Sequence, residues 1–164
     1  MKKQDGKNSY RLLRCLVQLP RKILTIHGTE NVPEFVLQDL CHERCFNLSK
    51  AAYFVDNPDF DHFKGVAGFC RAEAFSDWDS IWHSPESFSM FMQKASFNQR
   101  VRDICRHSLA VGKHDEQSMI AQVARDLELS NHGYLAWSLK HENRGILIFE
   151  QAEQQPHHDM VEYL

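Results

Sequence analysis

At 164 residues the chain has the length of one domain, enough to bury about two-thirds of its unfolded surface around a single core. Its 43% apolar, 25% charged and 11% aromatic residues exclude a disordered or fibrous chain, and no apolar run approaches the roughly 20 residues of a membrane span. The formal net charge of −3 is uneven: residues 1–22 hold seven bases (Lys2, Lys3, Lys7, Arg11, Arg14, Arg21, Lys22) against Asp5, a balance of +6, and the remainder holds 12 bases against 21 acids, a balance of −9.

Residues 1–9 read as a basic, disordered arm, 10–150 as one domain and 151–164 as a polar tail. Met1-Lys2-Lys3 leads into polar residues and not into the apolar stretch of a signal peptide, so a cytoplasmic location is expected. In that reducing setting the five cysteines, irregularly spaced, are free thiols or ligands and not a disulfide framework. Tyr10 to Leu19 is apolar and basic without settling on a helical or a strand period, and Pro20 punctuates it. Ile23-Leu24-Thr25-Ile26 reads as a short buried strand ending in His27-Gly28-Thr29. Asn31 as a cap, Pro33 inside the first turn and Glu34 beside it predict a helix over 32–45.

The run 50–55 predicts a strand, a polar loop from Asp56 to Lys64 follows, and 65–70 returns as the second strand of a hairpin. Ser84-Pro85-Glu86 opens a helix with Phe88, Phe91, Met92 and Ala95 on one face. Ser96 and Gln99 have capping-box spacing for another, carrying Val101, Ile104, Cys105 and Leu109 inward. A further helix starts at Asp115 or Ser118, with Ile120, Val123, Ala124 and Leu127 at helical spacing. Residues 134–140 and 146–149 read best as a hairpin turning through Glu142-Asn143-Arg144-Gly145, with a helix over 135–141 as the competitor.

Chemistry-bearing residues gather in Cys41-His42-Glu43-Arg44-Cys45 and in Asp56-Asn57-Pro58-Asp59-Phe60-Asp61-His62. On a helix Cys41 and Cys45 would share a face, and with His62, Asp61 or Cys70 they would make up the ligands of a zinc or iron ion. Against this, Val36, Leu37, Leu40 and Cys41 form one continuous apolar arc, which places Cys41 as packing and Cys45 at its edge. Asp56, Asp59, Asp61 and His62 are candidate ligand-binding groups, although Asp-Asn-Pro-Asp is also ordinary turn chemistry. His27 beside the start of the next helix is a further candidate, since helix N-termini attract anions. The chain contains no phosphate-loop, dinucleotide or His-Glu-x-x-His motif.

These features predict a single α+β domain: a small, mainly antiparallel sheet from the runs near 23, 51, 66, 135 and 146, with about four helices near 32, 85, 97 and 116 packed on it. The function expected first is a non-enzymatic module that binds a protein or small-molecule ligand through the Asp56–Gly65 loop and neighbouring aromatics. A metal- or thiol-dependent enzyme or sensor using Cys41, Cys45, His62 and Asp61 is the alternative. Nucleic-acid binding through the basic arm is a weaker one, Tyr10 being its one nearby aromatic, and no membrane partner is expected.

Overall fold

The computed structural model describes residues 2–26, 28, 30–73, 81–110 and 115–152, with side chains from Tyr10 onward except at position 11. Its centre is the hairpin of β1 (Leu48–Asn57) and β2 (His62–Cys70), joined by a 3-10 turn, Pro58–Phe60. β3 (Cys105–Arg106) extends it on one side, and β4 (His132–Ser138) and β5 (Arg144–Gln151) on the other. The strands lie in the order β3-β2-β1-β5-β4, and every neighbouring pair is antiparallel. Among the described residues five helices surround them: α1 (Lys2–Ile23), α2 (Val32–Cys41), α3 (Pro85–Lys94), α4 (Ser96–Asp103) and α5 (Glu116–Asp126).

Both sheet faces carry apolar residues because side chains alternate along each strand. On the first face Ala52, Phe54, Phe63, Ile146 and Ile148 meet Phe97 and Val101 of α4 and Ile120, Val123 and Ala124 of α5. On the second, Ala51, Ala67 and Phe69 meet Phe35, Leu37 and Cys41 of α2 and Phe88 and Met92 of α3. α4 approaches the β2 backbone so closely that a Cβ on Gly65 would lie 1.8 Å from the Val101 carbonyl oxygen. A register shift between Tyr53 and Phe54 lets both glycines of β2, Gly65 and Gly68, turn toward α4.

The helices predicted near 32, 85, 97 and 116 and the strands near 51, 66, 135 and 146 are present, and the C-terminal hairpin wins over its helical competitor. The strand predicted at 23–26 is instead the end of α1 and a turn in which Thr25 Oγ1 donates to the Lys22 carbonyl at 2.7 Å. This fifth helix also takes in the arm expected to be disordered, where Lys2, Lys3, Gln4 and Lys7 favour helix. α2 stops at Cys41, because His42 turns extended (φ −62°, ψ 144°), so Cys41 and Cys45 are not one turn apart on a helix. Asn31 takes the N-cap position of α2 as predicted, but its side chain makes no cap bond; its side-chain oxygen accepts from Ser89 Oγ of α3 at 2.8 Å.

Likewise α4 is capped from outside, by Glu73, whose carboxylate accepts from Ser96 Oγ at 2.7 Å and from the Phe97 N–H. It ends at Asp103, and the segment holding Ile104 and Cys105 runs extended to pair with β2, the Ile104 carbonyl accepting from the Gly65 N–H. The polar loop is shorter than predicted: strand pairing continues through Asp56–Phe63 and Asn57–His62, leaving a tip of Pro58–Asp61. The tail from residue 153 lies outside the described residues.

Candidate functional site

The predicted metal ligands do not converge on one point: Cys41 lies within electrostatic reach of Cys45 and Cys70, whereas His62 lies at the far end of the hairpin. Cys41 is wholly buried in the second-face core, where burial, with smaller help from the Cys70 thiol, pushes its own thiol pKa up. Cys70 and His62 lie at opposite ends of β2, opposite Lys50 and Asn57 respectively, which at the rise of a strand is roughly 26 Å. Among the described residues no group of three or more His, Cys, Asp or Glu is placed to hold a metal ion. What Cys45 faces is Cys15 of α1: burial first, and then the hydrogen bond between the two thiols, push Cys45 up to about 12. The raised pKa makes Cys45 a poor nucleophile, and its contact with Cys15 packs α1 against the turn after α2.

The acidic ligand candidates are tied into the protein. Asp56, fully buried on β1, accepts from the Leu109 N–H at 3.1 Å through one oxygen. Asp61, in left-handed conformation at φ 50°, accepts from the Ser108 N–H at 2.9 Å and pairs with His107 Nδ1 at 2.7 Å, contacts that hold its carboxyl below the usual range. Together they staple the segment after β3 to the hairpin. Asp59 is exposed on the 3-10 turn and His62 is exposed at the start of β2. His27 lies outside the described residues.

One acid unmarked by the sequence analysis as a site is buried beside a cleft. Glu34, in the first turn of α2 and 3% exposed, receives Asn98 Nδ2 at 3.5 Å and has Arg102 at 3.9 Å. Burial outweighs these partners and raises its pKa. Asn98 also donates to the Met92 carbonyl at 2.8 Å and accepts from the Gly68 N–H at 2.8 Å, so one side chain ties α4 to α2, α3 and β2. The cleft above, about 330 Å³ and lined by Gln93, Asn98, Gln99, Arg102 and Asp103, does not have Glu34 in its wall. The cluster is structural glue between layers.

A larger feature lies on the second sheet face, where the helical layer is incomplete. α2 packs over β1 and β2, and among the described residues the second-face side chains beyond β1 are half-buried on β5 and exposed on β4. Leu135, Trp137 and Leu139 are 59%, 41% and 37% exposed, with Tyr53, Leu147 and Phe149 partly covered beside them. The strand register places Leu135 opposite Leu147 and Trp137 opposite Gly145. Glycine is required there: a Cβ on Gly145 would lie 2.5 Å from the Trp137 ring, which crosses over it to stack on Tyr53 at 5.8 Å with an interplanar angle of 4°. Phe149 lies over Gly133 in the same way. The result is a shelf of rings over β5 and β4, of which Trp137 is exposed and Tyr53 and Phe149 are half-buried. β4 is also a sheet edge and carries neither proline nor a Lys, Arg, Asp or Glu side chain, the usual protections of an edge.

Sequence reasoning missed this shelf although a signal existed. Leu135-Ala136-Trp137-Ser138-Leu139 alternates large apolar residues toward one face while Tyr134 and Ala136 serve the other, so the strand asks for cover on both sides. Comparison of the chain with protein-family models, curated proteins and solved structures finds no match.

Proposed function

We propose that the protein is a non-enzymatic binding module that takes an apolar segment of a protein partner on the open half of its sheet, over Tyr53, Leu135, Trp137 and Leu147. The observation that carries this reading is the asymmetry of the two faces: α4 and α5 cover the first, whereas Trp137 and Leu135 stay in water on the second. Large contiguous apolar surface rimmed by polar residues is the common mark of a docking site, and flat aromatic rings supply contact area at small entropic cost.

Shape and charge specify the guest. The uncovered part is two strands wide, about 10 Å, which is the diameter of one helix with its side chains. Residues 23–164 carry a balance of −9, so a basic, amphipathic helix is the complementary partner. The test is a titration of isotope-labelled protein with a cationic amphipathic Leu/Lys helical peptide at physiological ionic strength. The Trp137 indole and the amides of β4 and β5 should shift together, with no shifts in the α4–α5 layer. Shifts confined to other surfaces, or none at millimolar peptide, would reject the site.

A further inference from the structure

α1 has the properties this face calls for, and it is a helix with a side left bare. Three stripes run along it at helical spacing. Leu12, Cys15, Leu19 and Ile23 are partly buried toward the body, where α1 meets α2 and Lys22 pairs with Asp39 at 2.8 Å. Arg14 and Arg21 form an exposed basic stripe. Tyr10, Leu13 and Val17, with Leu16 at the margin and Leu24 just past the helix, form an exposed apolar stripe on the remaining side, Leu13 and Val17 being 61% and 59% exposed. Among the described helices no other shows such a stripe; Met90 of α3 is a single exposed residue.

We infer that the occupant of the open sheet face is α1 of a second copy of this chain, exchanged reciprocally so that each copy's helix lies on the other's shelf. The inference rests on the docking reading above and names its partner. Each copy has one bare apolar helix and one bare apolar sheet half, and a two-fold arrangement covers all four surfaces in a closed dimer. Charge chooses this arrangement over its rivals. Pairing α1 with α1 would set two segments of +6 against each other, whereas the exchange lays each on β4, which carries no Lys or Arg. Pairing β4 edge to β4 edge would leave the α1 stripe in water.

The experiment is sedimentation velocity on the full-length chain and two variants at strongly exposed positions, Val17→Glu on α1 and Leu135→Lys on β4, with unchanged melting curves as the check that both fold. The wild type should sediment as a dimer and each variant alone as a monomer. An equimolar mixture of the two variants should recover the dimer, because one docking is then native and the other sets Glu against Lys. A Val17→Glu chain that stays dimeric points to edge pairing and overturns the exchange; a Leu135→Lys chain that stays dimeric points to helix pairing and overturns it equally, as does a mixture that remains monomeric. A monomeric wild type that still binds the Leu/Lys peptide at β4 removes the exchange and leaves the docking face standing; loss of peptide binding as well removes both.

Discussion

Replacing Asn98 by alanine tests whether the helical wall beside the open face is held by one buried side chain. Asn98 is almost fully buried, and its amide serves three partners: the Gly68 N–H and Met92 carbonyl at 2.8 Å each, and the Glu34 carboxylate at 3.5 Å. Alanine leaves a buried donor, a buried acceptor and a buried carboxylate short of a partner, at about 1–3 kcal/mol apiece, and because neighbouring losses are not additive the total expected is about 3–5 kcal/mol. With a urea slope near 2 kcal/mol/M, the unfolding midpoint should fall by about 1.5–2.5 M at unchanged slope. Asn98→Asp separates this account from simple cavity formation. It keeps the acceptor for the Gly68 N–H and adds a charge beside Glu34, so it should be at least as damaging at neutral pH and recover as the solution is acidified. A midpoint drop under about 0.5 M in the alanine variant, or an aspartate variant indifferent to pH, would refute the reasoning.

Three further outcomes follow from the geometry. Because burial raises the Glu34 pKa, the folded state holds that proton more tightly than the unfolded one, so this group's contribution to stability falls as pH rises from about 4.5 through the folded pKa. Glu34→Gln should remove that slope and melt higher than the wild type at neutral pH; a lower melting temperature for the variant would count against it. Gly65→Ala should destabilise by more than about 3 kcal/mol, since its Cβ would be 1.8 Å from the Val101 carbonyl oxygen and α4 must move away; a loss below about 1 kcal/mol in chemical denaturation would show that α4 does not sit so close. In native protein a thiol reagent should modify exposed Cys105 first and Cys41 and Cys45 slowly, as mass spectrometry can follow; Cys45 reacting as fast as Cys105 would contradict its pairing with Cys15.

The helices legible in the sequence share one property, a single apolar stripe with a marked start. Pro33 and Pro85 lie just inside α2 and α3, and Ile120, Val123, Ala124 and Leu127 give α5 one phase. α1 was illegible because it has two apolar stripes, one toward α2 and one toward solvent, and their sum erases the period that either alone would show. β3 has two residues and exists through its pairing with Phe63 and Lys64, which no local signal encodes. Turn chemistry at Asn57-Pro58-Asp59 was read correctly, but its reach was overestimated: Asp56 belongs to the strand, and Asp61 is spent on His107 and Ser108 across the fold. The contact between Cys45 and Cys15 likewise depends on where α1 lands. The shelf was written in the alternation of Leu135, Trp137 and Leu139, yet its exposure follows from α2 stopping over β1, a fact of helix placement.

The docking face is tested most directly by calorimetry on the Val17→Glu chain, whose own α1 no longer competes for the shelf in any arrangement of copies. Titrated with the cationic amphipathic peptide, this chain should bind with a negative heat-capacity change, the mark of buried apolar surface, and adding Leu135→Lys should abolish the binding. Equal affinity and equal heat capacity in the single and double variants would contradict the assignment of the open sheet half as the binding surface.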